Sequence, residues 1–374
     1  MLLIKDYDID FVPRERGCEL KLHKQVNRMK QMLELLRKRG NSVILYGASL
    51  CGMKYLDVLR NNDIAVTAFC DDNTLKQKSG FCGLPVISPA QLSTRGGTIV
   101  ISSYGPEKIY KKIADMGSNL LERTCVVDFY LWENALDYFD YFMQYKDEID
   151  NVSSILEDEK SKHVFWNCLN YKISRNNELI QEIRDDVDLQ YFDGNIVHFS
   201  NNETFLDLGA YIGDTIDGFM GKVHGEYKNI YAFEPDSSNI AVLKQFITGM
   251  DNVEAYPYGA GEKDEILHFR SEGNWTSEID DSGEDTIVVR SVDSFLQGNS
   301  VSFIKADIEG AEFGMLRGAK ETICKYKPKL AIAVYHRKDD IFRIPLLLKE
   351  YRSDYKFYLR HYTEMPIDTV LYAV

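Results

Sequence analysis

Apolar runs alternate with amphipathic stretches in two separate blocks of the chain. In the first block, "SVILY", "IAVTAFC" and "GTIVISS" predict buried strands, and apolar residues at helical spacing between them predict helices. In the second block, "TFLDLG", "NIYAFEPD", "SVSFIKAD" and "LAIAVYH" predict strands in the same alternation. Because strands that alternate with helices form parallel sheets, each block predicts a Rossmann-like domain.

Domain boundaries follow from where this alternation stops and starts again. We expect an N-terminal helical segment over 1–40, a Rossmann-like nucleotide- or sugar-binding domain over 41–130, a helical connector over 131–200 and a second domain over 201–374. The connector is rich in aromatic residues and has no glycine or proline between 131 and 183, which favours packed helices over a flexible linker. The predicted fold class is α/β, with two doubly wound sheets, and the closing hairpin "YKFYLRHYT" to "DTVLYAV" adds one antiparallel strand to the second.

The charge balance excludes some partners. Asp and Glu outnumber Lys and Arg by 58 to 44, which gives a formal net charge of -14. Such a charge repels a phosphate backbone, so we expect no nucleic-acid partner. The sequence shows neither a signal-peptide pattern nor an apolar run of about 20 residues, so we expect a cytoplasmic protein with no membrane span. The oligomeric state stays open.

Cysteine and histidine spacing indicates no metal site. The seven cysteines are scattered without a C-x-x-C pair, and no H-x-x-H pair occurs. This pattern favours neither a disulfide framework nor a zinc site, so we expect no metal cofactor. The carboxylates at 307, 309 and 312 are the one place where a hard cation could bind.

A glycine-rich turn follows the first strand of the second block, in "FLDLGAYIGDT". Gly209 and Gly213 would let a cofactor approach the backbone at the strand ends, where doubly wound sheets bind their ligands. Asp207 is expected at the strand tip, and Asp214 and Thr215 open the next helix. A carboxylate at a helix start disfavours pyrophosphate and suits an ammonium group, so the turn predicts S-adenosylmethionine rather than NAD.

A second acidic motif supports this cofactor. Glu234 in "YAFEPD" lies 25 residues after Gly209, at the tip of the next strand. A carboxylate at that place can accept both ribose hydroxyls, and Pro235 and Asp236 complete the motif. Together with "IKADIEGAE" after the fourth strand, these motifs are far more specific than the glycine turn alone.

The sequence from about 203 to 374 resembles the FkbM family of S-adenosylmethionine-dependent methyltransferases. The resemblance lies in "FLDLGAYIGDT", "YAFEPD", "VRSVDSFL" and "FIKADIEGAEFGMLRGA", with "KPKLAIAVYH" following. It implies a class I methyltransferase fold and methyl transfer, usually to a hydroxyl group. Tyr211 departs from the family, which more often has a small polar residue there.

The resemblance also implies site residues. Asp207, Gly209, Ala210, Gly213 and Glu234 would line the cofactor, and Tyr258 and Gly259 would flank the adenine, while Asp307 would face the methyl group. An alcohol needs a base as it is methylated, and the strand tips place Asp307 and His336 where a base could reach it. Glu309 is a third catalytic candidate from the same motif.

The turn "YGASLCG" of the first block predicts a second ligand site. Gly47 and Ser49 lie in this turn, and Asp71 follows 24 residues after Gly47 at the tip of the next strand, where it could receive ribose or sugar hydroxyls. Residues 43–103 resemble the N-terminal nucleotide-sugar-binding domain of bacterial sugar acyltransferases in "VILYGAS", "AFCDDN" and "GLPVISPAQL".

Three functions are consistent with these patterns. The favoured one is methylation of a hydroxyl on a sugar, glycan or small metabolite. The alternatives are a non-catalytic module that binds a nucleotide, and an NAD-dependent oxidoreductase that uses the first domain. No Tyr-x-x-x-Lys pattern follows the first turn, which weakens the oxidoreductase alternative.

Overall fold

The computed structural model of the chain describes residues 27–40, 42–103, 106–126, 138–270, 278–279 and 285–374, together with 21, 22 and 24. The chain divides into two compact units. The first unit comprises Met1–Tyr141 with Leu169–Leu179, and the second comprises Phe142–Cys168 with Ile180–Val374. Part of the predicted N-terminal segment, residues 1–20, lies outside the described residues.

The first unit contains five strands with helices between them. In chain order the elements are α1 Arg28–Lys38, β1 Ser42–Tyr46, α2 Leu50–Arg60, β2 Ala65–Cys70, α3 Thr74–Ser79, β3 Val86–Ile87, a 3-10 helix Pro89–Thr94, β4 Thr98–Ile101, α4 Pro106–Met116, α5 Ser118–Leu121 and β5 Thr124–Val126.

The five strands form one parallel sheet in the order β3-β2-β1-β4-β5. Apolar side chains cover both of its faces. One cluster joins α1 and α2 to the sheet through residues such as Leu33 and Leu56, and a second joins Ile113 of α4 to Ile99. The strand order reverses between β1 and β4, which is where ligands bind in such sheets.

Helices fill the region between the two sheets in sequence. They are α6 Tyr138–Gln144, α7 Lys146–Ile155, α8 Glu159–Ser174 and α9 Glu178–Gln181, followed by a 3-10 helix Val187–Leu189. In the second unit, Phe142 packs edge-on against Phe342 at 6.4 Å, and Trp166 donates a hydrogen bond to Ser153 at 3.0 Å. These contacts show that the helices that carry Phe142 and Trp166 pack against other elements of the second unit.

The second unit is built on a seven-stranded sheet. Its elements are β6 Thr204–Leu208, α10 Asp214–Lys222, β7 Asn229–Phe233, α11 Ser237–Phe246, β8 Val253–Tyr256, β9 Tyr258–Ala260, β10 Glu265–Arg270, β11 Glu278–Ile279, β12 Asp285–Arg290, α12 Val292–Leu296, β13 Phe303–Ala306, α13 Glu312–Arg317, α14 Lys320–Tyr326, β14 Lys329–Ala333, α15 Asp340–Tyr351, β15 Phe357–His361 and β16 Thr369–Ala373.

The strand order of this sheet is β15-β16-β14-β13-β6-β7-β8, with β16 antiparallel to both of its neighbours. The predicted doubly wound sheet with one antiparallel strand is therefore confirmed. Aromatic rings fill its core, where Phe205 stacks on Phe303 at 5.0 Å and lies 4.6 Å from Phe219. The chain crosses between β6 and β13, so the carboxyl ends of these strands define the expected site.

A second, smaller sheet of the order β11-β10-β12-β9 was not predicted. It interrupts the main alternation between β8 and α12. Leu267, Ile287 and Val289 form its apolar face. None of the helices in the described part of the chain is long and apolar enough to cross a membrane.

Candidate active site

The turn after β6 has a backbone that requires glycine. Gly209 has a φ of +77°, and a Cβ atom there would lie 1.9 Å from the carbonyl oxygen of Asp307. Gly213 has a φ of +102°, and a Cβ there would lie 2.5 Å from the ring of Phe246. The turn is therefore pressed against the end of β13 on one side and against α11 on the other.

Glu234 joins the turn to the end of β7. Its Oε2 accepts the backbone N–H of Tyr211 at 3.0 Å, and its Oε1 accepts the N–H of Asp236 at 2.9 Å. Burial raises the pKa of Glu234, and the two N–H donors oppose the rise. A carboxylate oxygen can accept more than one hydrogen bond. The fixed carboxylate of Glu234 can therefore still accept hydrogen bonds from the two hydroxyls of a ribose.

The predicted adenine residues lie next to this position. Tyr258 contacts Phe233, the residue before Glu234, with ring centroids 5.5 Å apart and planes nearly perpendicular. Gly259 belongs to β9 and pairs with Val289, where a Cβ would lie 3.1 Å from Ile287. The two predicted adenine residues are therefore close to the carboxylate that would hold the ribose.

Asp207 lies deeper than the sequence pattern indicates. It is within β6 and fully buried, and its Oδ1 is 3.2 Å from the ammonium of Lys305 on β13. The ammonium of Lys305 also donates a hydrogen bond to the carbonyl of Gly209 at 2.6 Å. Burial raises the pKa of Asp207 to about 6, although Lys305 opposes the rise. The direct contact of Asp207 with a cofactor stays a prediction.

The other predicted cofactor residues surround the same turn. Ala210 and Thr215 are buried, Tyr211 and Asp214 are exposed, and Pro235 is half-buried. Asp236 is fully buried and caps α11 by accepting the N–H groups of Ser238 and Asn239. The fold thus brings all of these positions to the ends of β6 and β7.

Asp307 follows β13 and is held by two tyrosines. Tyr191 donates to its Oδ2 at 2.6 Å, and Tyr335 donates to both oxygens at 3.2 Å. Burial and the carboxylate of Asp307 raise the pKa of both tyrosines well above the usual value, so their hydroxyls keep their protons. The carboxylate is therefore fixed in orientation at the edge of the cofactor turn.

His336 follows β14 and lies among three carboxylates. Its Nε2 is 3.4 Å from Asp307 and 3.5 Å from Glu309, and its Nδ1 is 2.9 Å from Glu312. Burial alone lowers the pKa of His336, but Glu312, Asp307 and Glu309 outweigh this effect and raise the pKa to about 10. An imidazolium at neutral pH does not accept a proton, which argues against His336 as the base.

A cleft of about 320 Å³ opens beside this cluster. It lies between the small sheet, which contributes Leu267 and Val289, and the starts of α13 and α15, which contribute Phe313 and Arg343. Arg343 lies over the ring of Phe313 at 4.6 Å and pairs with Asp339. The cleft combines apolar walls with a polar rim, as small-molecule sites do.

The first unit brings its predicted ligand residues together in a similar way. Gly47 has a φ of +124° and would place a Cβ 2.5 Å from the carbonyl oxygen of Ser102. Ser49 caps α2, and Asp71 accepts the N–H of Ala48 at 2.9 Å. The ammonium of Lys76 donates to the carbonyl of Ala48 at 2.6 Å.

The sequence patterns did not indicate three residues of the site in the second unit. Tyr191 lies in the predicted connector. Tyr335 and Lys305 lie in or next to strands whose apolar runs predict burial. Tyrosine hydroxyls carry no local sequence signal for a distant partner. Lys305 does carry one, because a lysine inside the apolar run "FIKA" needs a buried partner.

The comparisons with known proteins agree with this geometry. Residues 207–357 match the family described as methyltransferase FkbM domain. No curated protein sequence matches the chain. The match does not reach residues 43–103, so their resemblance to sugar acyltransferases stays a prediction.

Among solved structures, methyltransferase FkbM from Methylobacillus flagellatus KT shares the fold along nearly the whole chain. The two are 24% identical with a TM-score of 0.72, over 92% of this chain and 93% of that chain. A fibrillarin/Nop5p complex is 20% identical over 48% of this chain and 76% of that chain, with a TM-score of 0.33. Aeropyrum pernix fibrillarin, solved with natively bound S-adenosyl-L-methionine, is 11% identical over 50% of this chain and 73% of that chain, with a TM-score of 0.32.

Proposed function

We propose that this chain, which carries a methyltransferase FkbM domain at residues 207–357 and uses S-adenosylmethionine, methylates a hydroxyl oxygen. The acceptor class that we propose is a sugar, a glycan or a small metabolite. The single observation that carries the proposal is the position of Asp307, whose backbone carbonyl touches the cofactor turn while its carboxylate is held by two tyrosines.

Cofactor binding by this site follows from the acids at two strand ends. Glu234 would receive the ribose, Tyr258 and Gly259 would lie along the adenine, and the turn from Gly209 to Gly213 would hold the amino-acid end. Exposed Asp214 at the start of α10 suits an ammonium group and disfavours phosphate. The bound cofactor supplies an electrophilic methyl group on its sulfonium.

Methyl transfer to oxygen needs two contributions from the protein. The first is alignment, since the acceptor oxygen must approach the methyl group in line with the leaving sulfur. The second is removal of the hydroxyl proton, because an alcohol is a poor nucleophile until that proton leaves. Asp307 would accept it, while protonated His336 balances the charge of the neighbouring carboxylates.

This proposal is tested by product analysis. The purified chain is incubated with S-adenosylmethionine that carries an isotopically labelled methyl group and with pools of sugars, glycans and hydroxylated metabolites. Mass spectrometry finds the labelled product, and nuclear magnetic resonance identifies the atom that carries the methyl group. A label on nitrogen or carbon would refute oxygen as the acceptor.

A ligand role for the first unit is supported by a shared hydrogen-bond pattern. Asp71 accepts the N–H of Ala48 in the turn and the N–H of Asn73 two residues after itself. Glu234 makes the equivalent two bonds in the second unit. Gly47, Ser49 and Asp71 would accordingly receive a sugar nucleotide or a similar ligand.

A further inference from the structure

We propose that Asp307, Glu312 and His336 bind a divalent cation of the manganese or zinc class. The binding site stands on its own geometry. Its role in methyl transfer, described below, rests on the function proposed above. The proposal replaces the expectation of no metal, which was drawn from sequence spacing alone.

The three side chains lie close together around the imidazole of His336. Each offers one donor atom, and these atoms all lie within 4.8 Å of one another. Nδ1 of His336 and Oε1 of Glu312 are 2.9 Å apart. Two ligands at right angles on one ion, each about 2.1 Å from it, are about 3 Å apart, so this separation suits two ligands of the same ion.

The hydrogen bonding of Glu312 is incomplete. Its side chain is fully buried at the start of α13, and Oε1 accepts the N–H of Ile308 at 2.9 Å. Oε2 is buried with no hydrogen-bond partner, and Nδ1 of His336 is not oriented to make a hydrogen bond despite its short distance. Buried carboxylate oxygens are normally hydrogen-bonded or bound to a metal, so Oε2 of Glu312 is available to bind a metal ion.

The local charge also favours a cation. Asp307, Glu309 and Glu312 each lie within 4 Å of His336. A divalent ion would take the place of the imidazole proton and would add positive charge beside these carboxylates.

The surroundings provide support and access. Tyr191 and Tyr335 orient Asp307, as outer hydrogen bonds do for metal ligands. The 320 Å³ cleft lies next to the cluster, since Ala311 and Arg337, the chain neighbours of Glu312 and His336, line it. Two carboxylates and one imidazole suit manganese or zinc better than magnesium or calcium, which prefer oxygen ligands alone.

Such an ion would assist the proposed reaction. An acceptor oxygen bound to it would have a lowered hydroxyl pKa. The proton would pass to the second oxygen of Asp307 as the O–H bond breaks. The oxygen would then form its bond to the methyl carbon while the carbon–sulfur bond breaks, which leaves S-adenosylhomocysteine and a methyl ether.

Calorimetric titration of the chelator-treated full chain with MnCl2 and with ZnCl2 tests the site directly. We expect saturable binding of one ion per chain, and at least a tenfold loss of affinity in Glu312→Gln and in His336→Gln. The matched control is Asp339→Asn, which changes a nearby acid of the same cleft that pairs with Arg343, and it should bind as the wild type does. S-adenosylmethionine binding shows that each variant is folded, and if Glu312→Gln fails to fold, His336→Gln decides.

The outcomes separate the two proposals. No saturable binding by the wild type, or equal affinity in the wild type and in His336→Gln, would overturn the metal site. Metal binding that follows these expectations in a protein that methylates nitrogen would support the site and refute the proposed acceptor atom. Oxygen methylation that persists unchanged in a chain shown to hold no metal would support the proposed acceptor atom and refute the role of the ion in methyl transfer.

Discussion

The hydroxyl of Tyr191 donates to Oδ2 of Asp307 at 2.6 Å, across 116 residues of sequence. Tyr191 lies outside the matched domain, which begins at residue 207, and yet it orients the carboxylate that we propose as the base. The segment before β6 therefore contributes to the site as well as to the core.

Tyr191→Phe should lower turnover by about tenfold and leave cofactor affinity unchanged, because it frees a carboxylate that must point at the acceptor. Loss of a hydrogen bond to a charged group should also reduce the free energy of unfolding by about 1.5 to 3 kcal/mol. Tyr227→Phe is the control, since that hydroxyl bonds only the carbonyl of Asp251 at the surface. Turnover equal in both variants would show that Tyr191 does not orient Asp307.

Glu234→Ala should weaken S-adenosylmethionine binding by about 10- to 150-fold, because hydrogen bonds between a carboxylate and ribose hydroxyls are lost. Isothermal calorimetry measures the affinity, and Glu226→Ala serves as an exposed acidic control in the same unit. The melting temperature of the free variant shows how much of the loss comes from the turn that Glu234 holds. Unchanged affinity would remove Glu234 from the ribose site.

Asp71→Ala should abolish stabilisation of the protein by the sugar nucleotide that we propose for the first unit. A panel of nucleoside diphosphate sugars is screened for an increase in melting temperature, which follows from binding to the folded state alone. The full chain is the right material, because the first unit includes Leu169–Leu179. If no member of the panel stabilises the wild type, docking or oligomerisation becomes the better account of this unit.

His361 should make the protein sensitive to acid. Its side chain is fully buried with Nδ1 near Thr369 and Nε2 near the carbonyl of Thr363, both at 2.8 Å. Burial lowers its pKa from 6.5 to about 4. The unfolded chain then binds a proton more readily than the folded one, so the stability contributed by neutral His361 is complete above pH 6.5 and is lost as the pH falls towards 4.

Urea denaturation of the wild type and of His361→Gln at pH 7 and pH 4.5 measures this effect. The difference in free energy of unfolding should shrink at the lower pH by about 2 kcal/mol, since one pKa unit corresponds to about 1.4 kcal/mol. The other titrating groups are common to both proteins, and their contributions cancel. A difference that does not change with pH would contradict a neutral buried His361.

The strands of the five-stranded and seven-stranded sheets were predictable because their apolar runs and turns are local signals. The glycine turns were predictable for the same reason, and Gly209 and Gly213 do have left-handed backbones. The depth of Asp207 was not, because its partner Lys305 lies 98 residues further on and only the pairing of β6 with β13 brings the two together. The small sheet was missed because its short strands pair across an insertion, where the alternation of apolar residues is weak.

The cluster around His336 shows the same limit. Motif spacing places Asp307, Glu309 and Glu312 in one loop and helix start, but the histidine follows a different strand. The charge state of His336 depends on these neighbours, so the sequence alone left it as a candidate base. The structure places it among three carboxylates, and we propose that it binds a cation there instead.

The most direct test of the account is the rate at which Asp307→Asn transfers a labelled methyl group to the acceptor, at saturating cofactor and acceptor. We predict an O-methylated product from the wild type. In the variant, turnover should fall by about 100-fold or more, because the base is lost while the shape of the side chain is kept. Cofactor affinity should stay within about twofold, since we propose Glu234 rather than Asp307 as the residue that holds the ribose. Near-wild-type turnover in Asp307→Asn, or a methyl group found on nitrogen, would contradict the account.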